Sequence, residues 1–200
     1  VILVQRLGPA ANSVLVAASG QLKSTRREPL FRLIGALTPE SVDPRLADLL
    51  SAALEEPNPS MASAAAEALK SVGGRRAMAA LYRACAQEGV LGERAAEALA
   101  EVANRVGGAR GDELSLLVGA IWPQHGALAR NLCRIAARLG RPEHVAPLVS
   151  LLGSSDAAVR VAAATALGRI PGEHEGASAL CFTLADEESS VRAAACRSLG

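Results

Sequence analysis

The chain predicts an all-α solenoid built from about six antiparallel helical hairpins, and three observations carry that expectation. The first is a repeat. Val159–Gly168 (VRVAAATALG) returns as Val191–Gly200 (VRAAACRSLG), with Val191 in the place of Val159. Upstream the register holds, with Leu148 matching Leu180 and Leu152 matching Leu184. Self-similarity at a fixed period of roughly 20 to 50 residues marks a solenoid or array. The second is composition: 50% of residues are hydrophobic but only 2% are aromatic. Strands favour Val, Ile, Thr and aromatics, whereas alanine favours helices that pack at close approach. The third is punctuation. Thr38-Pro39, Gly73-Gly74, Gly107-Gly108, Gly140 with Pro142, and Pro171-Gly172 stand where a hairpin pattern demands a break.

The clearest unit serves as template. His144 to Leu152 places Val145, Leu148, Val149 and Leu152 on one helical face. Gly153-Ser154-Ser155 breaks it, and Ser155 or Asp156 suits an N-cap for a second helix over Ala157 to Ile170. That helix collects Val159, Ala163, Ala166, Leu167 and Ile170 on one side, and Pro171-Gly172 ends it.

Taken in order, the copies begin with Val1 to Leu7, read as the end of an earlier hairpin. Ser13–Leu22 and Leu30–Leu37 follow, then Leu46–Leu54 and Ala62–Val72, separated by Glu56-Pro57-Asn58-Pro59. Leu69 aligns with Leu167 three units further on. Arg76–Ala86 pairs with Arg94–Val106, whose inner face holds Ala95, Ala98, Leu99 and Val102. Asp112–Ile121 with Leu128–Leu139 is the most divergent copy, and the last runs from near Glu175 to Gly200. The expected organisation is one array over 1–200 with repeats near 10–38, 43–73, 75–107, 112–140, 143–171 and 175–200. Because the chain starts without a methionine and stops in mid-pattern, it is read as a piece of a longer protein.

An apolar first helix, an Asp-containing turn, then Val-Arg, alanines and Ala-Leu-Gly resemble HEAT repeats, nearest the short bacterial type known from phycobilisome lyases. SDAAVRVAAATALGRI (Ser155 to Ile170) and EESSVRAAACRSLG (Glu187 to Gly200) carry the resemblance, with Ala146-Pro147-Leu148 in the first helix. It is specific over the last two repeats and rests on periodicity elsewhere. It implies a right-handed solenoid whose second helices line an inner, concave surface. It also implies a structural ladder between repeats, with the turn acid and following arginine on Asp156 and Arg160, and on Glu188 and Arg192. Ala62 and Gly92 stand at the arginine position in the second and third repeats.

Charge and cysteines narrow the function classes. With 21 basic against 20 acidic residues the net charge is +1, short of the basic excess of a general nucleic-acid binder. Cys85, Cys133, Cys181 and Cys196 are spaced 48, 48 and 15 apart, with no metal-like pairing. Each lies in an alanine-rich helical segment and is expected to be a reduced, buried thiol, which suits a cytoplasmic location. The longest uncharged run, Leu7 to Leu22, contains Pro, Asn, Ser and Gln and is too short to span a bilayer.

Catalytic signals are sparse. His125, His144 and His174 lie at turns, and no P-loop, His-Glu-x-x-His or Gly-x-Ser-x-Gly spacing occurs. Glu173-His174-Glu175 reads as a solvated loop rather than a metal site. No catalytic, cofactor-binding or metal-binding residue is assigned. Arg130, Arg134 and Arg138 form a stripe at i, i+4 and i+8, and Glu93, Glu97 and Glu101 form an acidic stripe of the same spacing. Like charges so placed cost an isolated helix a few tenths of a kcal/mol, so something should offset them. Either the stripes pair with each other, or the arginines form a partner-binding strip. Trp122, the one tryptophan, is either a binding anchor or a plug over an irregular repeat.

The expectation is a non-catalytic scaffold that binds another protein along its concave surface, without membrane insertion. The alternatives are a chromophore-lyase-like enzyme or subunit, which should offer exposed aromatics, and a nucleic-acid-binding helical module.

Overall fold

A computed structural model describes residues 9–22, 27–39, 42–106, 122–123, 125–171 and 174–200. Among these residues every regular element is a helix, so the all-α solenoid expected from the repeat is the fold observed. The chain divides into two compact units, Val1–Gly111 and Asp112–Gly200.

Among the described residues of the first unit, six helices form three hairpins. They are α1 (Pro9–Gln21), α2 (Glu28–Ile34), α3 (Pro44–Ala53), α4 (Pro59–Val72), α5 (Arg75–Ala84) and α6 (Val90–Val106). First helices α1, α3 and α5 pack in one layer, second helices α2, α4 and α6 in another. Local chemistry sets several boundaries. Asp43 and Asn58 cap α3 and α4, accepting from the amides of Arg45 at 2.9 Å and Ser60 at 3.1 Å. Each is followed by proline, tolerated in a first helical turn because an amide there has no helical partner anyway. The helix predicted from Arg94 begins a turn earlier at Val90, after Gly89 bends the chain at φ 72°. Phe31, Ile34, Leu46, Leu50, Leu69, Leu81 and Leu99 are fully buried. Between α2 and α6, α4 presents Ala62, Ala65, Ala66 and Ala68, all buried. These short side chains let both neighbours close in: a Cβ on Gly35 would lie 3.0 Å from the Ala68 Cα.

The second unit contains α7 (Gly126–Leu139), a 3-10 turn (Pro142–His144), α8 (Val145–Leu151), α9 (Ala157–Leu167), α10 (His174–Thr183) and α11 (Ser189–Leu199). Here α7, α9 and α11 form the second-helix layer, while α8 packs on α10. Gly140 ends α7 in the left-handed region at φ 61°, its amide donating to the Ala136 carbonyl at 2.9 Å. Asp156 is the N-cap of α9, accepting from Ala158 at 2.9 Å. That helix ends at Leu167, short of the expected Ile170. Arg169 and Ile170 instead close a tighter turn through bonds to Ala166 and Leu167. Gly168 is where α9 meets α11, since a Cβ there would lie 2.5 Å from the Ser198 Cβ. The first helix of the divergent repeat, expected over Asp112–Ile121, lies outside the described residues.

One expectation is corrected. Cys85 and Cys133 are buried, but Cys181 and Cys196 are exposed. Their counterparts one period earlier, Val149 and Ala164, lie on helices that the next hairpin covers, and Ala164 is fully buried. Burial pushes the Cys85 and Cys133 thiols up to about 12, so both are protonated at neutral pH.

Candidate partner-binding surface

Second helices of the first unit frame an open groove of about 590 Å³. Its floor is the outer face of α4, where Ser60, Ser63, Ala64 and Ser71 keep the surface low between α2 and α6. On one wall Glu28 accepts from Arg32 at 2.6 Å and from the Ser60 hydroxyl at 3.0 Å, tying α2 to α4. Outside the groove lining, Lys70 reaches Glu97 at 3.3 Å, tying α4 to α6. Arg105 donates to the carbonyls of Lys70 and Gly73, both at 3.0 Å, and so satisfies two acceptors at the end of α4. At the rim stand Arg94, exposed, and Val90, 61% exposed at the start of α6. The groove therefore offers small hydroxyls, carboxylates and an exposed cation beside an exposed aliphatic side chain.

The predicted arginine stripe lies on α7 in the second unit. Arg134 and Arg138 are exposed, whereas Arg130 is half-buried and pairs with Asp156 at 3.4 Å. Of the acidic stripe on α6, Glu93 is exposed and Glu97 and Glu101 are half-buried.

A ladder of charge runs through the second unit. Arg160 is 6% exposed and donates from Nε to Asp186 Oδ2 at 2.9 Å and from Nη2 to Oδ1 at 3.0 Å. Its Nη1 donates to the Ser154 carbonyl at 2.9 Å, so one guanidinium binds its own turn and the next. Those bonds from Arg160 hold the Asp186 carboxyl below the usual range. The last turn repeats half of this arrangement, with Arg192 donating to the carbonyls of Asp186 and Glu187 at 2.8 and 2.9 Å. The acid that meets Arg160 is Asp186, two positions before Glu188, whose side chain makes no capping bond. Aligning by the repeat period matches Asp186 to Ser154, which hides this acid from the sequence pattern.

Trp122 is 5% exposed, its ring centred 6.3 Å from that of His144 and tilted by 45°. The indole is thus turned into its unit. Of the expected loop Glu173-His174-Glu175, His174 and Glu175 are exposed at the start of α10 and Glu173 is outside the described residues. Among the described residues no three His, Cys, Asp or Glu side chains gather as metal ligands. No described helix is long and apolar enough to cross a membrane.

No curated protein matches this chain. Among solved structures, one crystal structure of an engineered protein has 21% identity and a TM-score of 0.50, covering 92% of this chain and 93% of its own. A second engineered protein has 21% identity and a TM-score of 0.49, with 94% of this chain matched to 57% of that one. At such identity the first speaks for the fold alone. The family described as HEAT repeats matches residues 117–200, the part of the chain that carries the arginine–aspartate ladder. Over those residues the chain is similar to HEAT repeats, in agreement with the resemblance carried by Ser155 to Ile170 and Glu187 to Gly200.

Proposed function

We propose that the protein is a non-catalytic scaffold that holds another protein along its second-helix face. The observation that carries this reading is the groove over α4, an open trough with a low floor and mixed polar and apolar walls. Its dimensions and chemistry suit a polypeptide segment lying across α2, α4 and α6. A partner chain there can bury Val90, bond to Ser63 and Ser71, and meet Arg94 with a carboxylate. In the second unit, Arg134 and Arg138, exposed on α7, are a separate candidate contact surface.

Groove filling tests it. The tagged protein is purified from its source cells as wild type, as Ser63→Tyr with Ser71→Tyr, and as Ala79→Tyr on the exposed side of α5. A stoichiometric protein partner that survives Ala79→Tyr but is lost with the groove variant supports the reading. Identical partners on all three forms, or none on any, overturns it. Reversal of Arg134 and Arg138 to Glu, with helix content checked by circular dichroism, tests the second unit separately.

A further inference from the structure

His144 is 4% exposed, yet its Nδ1 is buried without a hydrogen-bond partner. The other histidines of the chain, His125 and His174, are exposed. A neutral imidazole tolerates this position, because the tautomer protonated at Nε2 leaves only a lone pair on the buried Nδ1. A protonated imidazole does not, since it puts an N–H donor and a charge where no acceptor waits. The Trp122 ring compensates poorly: at 6.3 Å and 45° it lies beyond good cation–π range. Burial accordingly lowers the affinity of His144 for a proton, while its turn neighbours Glu143 and Arg141 act in opposite directions. Glu143, the acid of the two, lies 3.9 Å from Arg141, so its charge is shared with that guanidinium and not dedicated to the ring.

We propose that His144 and Trp122 form an acid-sensitive latch, in which proton uptake drives the imidazole out of its pocket and frees the indole from the second unit. Above the ordinary histidine range the latch is shut, with both rings buried. As pH falls below it the released state gains, because an imidazole in water binds the proton more tightly than the buried one. The consequence is an aromatic contact residue displayed only under acid conditions.

Trp122 is the sole tryptophan, so its emission reads the latch directly. Fluorescence and acrylamide quenching of the whole chain are followed from pH 8 to 5, with circular dichroism to confirm that helix is retained. The expected result is a red shift and increased quenching with a midpoint below about 6.5. Both should remain in His125→Gln and His174→Gln and vanish in His144→Phe, which fills the pocket without an orphaned nitrogen. A wild type whose emission does not move, or a transition that follows His125 instead, overturns the proposal. Should His144→Phe fail to fold, NMR titration of the wild-type imidazole decides. Proton uptake by His144 that tracks the tryptophan change supports the latch, and uptake at the ordinary value without that change refutes it.

Discussion

Replacing Arg160 by alanine should destabilise the second unit by about 3 kcal/mol, more than removing an exposed charge from that unit. Breaking a buried ion pair by removing one partner costs about 3 to 5 kcal/mol, whereas an exposed pair contributes about 0 to 1 kcal/mol. The pair here lies near the buried limit: 8% of the Arg160 side chain and 12% of the Asp186 side chain reach solvent. Glu187, also within reach of Arg160 at 3.3 Å, is 86% exposed and adds nothing measurable. The lower end of the range applies because Asp186 keeps its bond from the Glu188 amide at 2.9 Å and some access to water. Against this, the Ser154 carbonyl loses its bond from Nη1.

A double-mutant cycle with Asp186→Ala isolates the pair from such side effects. Urea unfolding at pH 7.5, followed by Trp122 emission, reports on the unit that contains both residues. With a slope of about 1.5 kcal/mol/M, a loss of about 3 kcal/mol moves the midpoint down by about 2 M. The coupling energy should be about 2 kcal/mol, within the range that residues in one charge network show. A value under about 0.5 kcal/mol is what exposed pairs give, and would deprive the ladder of its energetic role.

The same pair sets an acid response. Because Arg160 lowers the Asp186 carboxyl in the fold, its contribution is complete above the ordinary carboxylate range and lost as pH falls through the folded-state value. Unfolding free energies between pH 6 and 3 should therefore fall more steeply in the wild type than in Arg160→Ala; parallel curves would contradict this. Gly168→Ala should cost about 2 kcal/mol by thermal unfolding, since the added Cβ meets the Ser198 Cβ at 2.5 Å and separates α9 from α11. A neutral outcome would show that the two helices slide apart freely. A thiol reagent should modify Cys181 and Cys196 in the folded chain and reach Cys85 and Cys133 only in urea. Four fast-reacting thiols in the native protein would refute the buried assignment.

The sequence made the helices legible because each exposes its periodic face. Leu148, Val159 and Leu167 return one period later as Leu180, Val191 and Leu199, and Gly and Pro mark the breaks between hairpins. The groove over α4 was not legible. It arises where Ser60, Ser63 and Ser71 are small, and a small residue on an exposed face leaves no mark in a hydrophobic period. The burial of His144 was equally hidden, since a lone histidine at a turn reads as solvated, and its neighbour Trp122 follows a divergent stretch of chain.

The ladder shows most clearly why a repeat period and an interface contact carry different information. Arg130 meets Asp156 and Arg160 meets Asp186, each across the same length of chain. From Asp156 the repeat's own arginine is four positions on, at Arg160; from Asp186 it is six, at Arg192. What stays the same between the two junctions is the reach of a guanidinium to the next turn. The length of chain between that turn's acid and its own helix varies, and Glu187 and Glu188 fill the longer turn. A period search follows helices and so aligns Asp186 with Ser154, whereas the electrostatics follow the junction and align Asp186 with Asp156. Arginine–aspartate pairing therefore sets where the acid must stand, and the turn absorbs the difference in length.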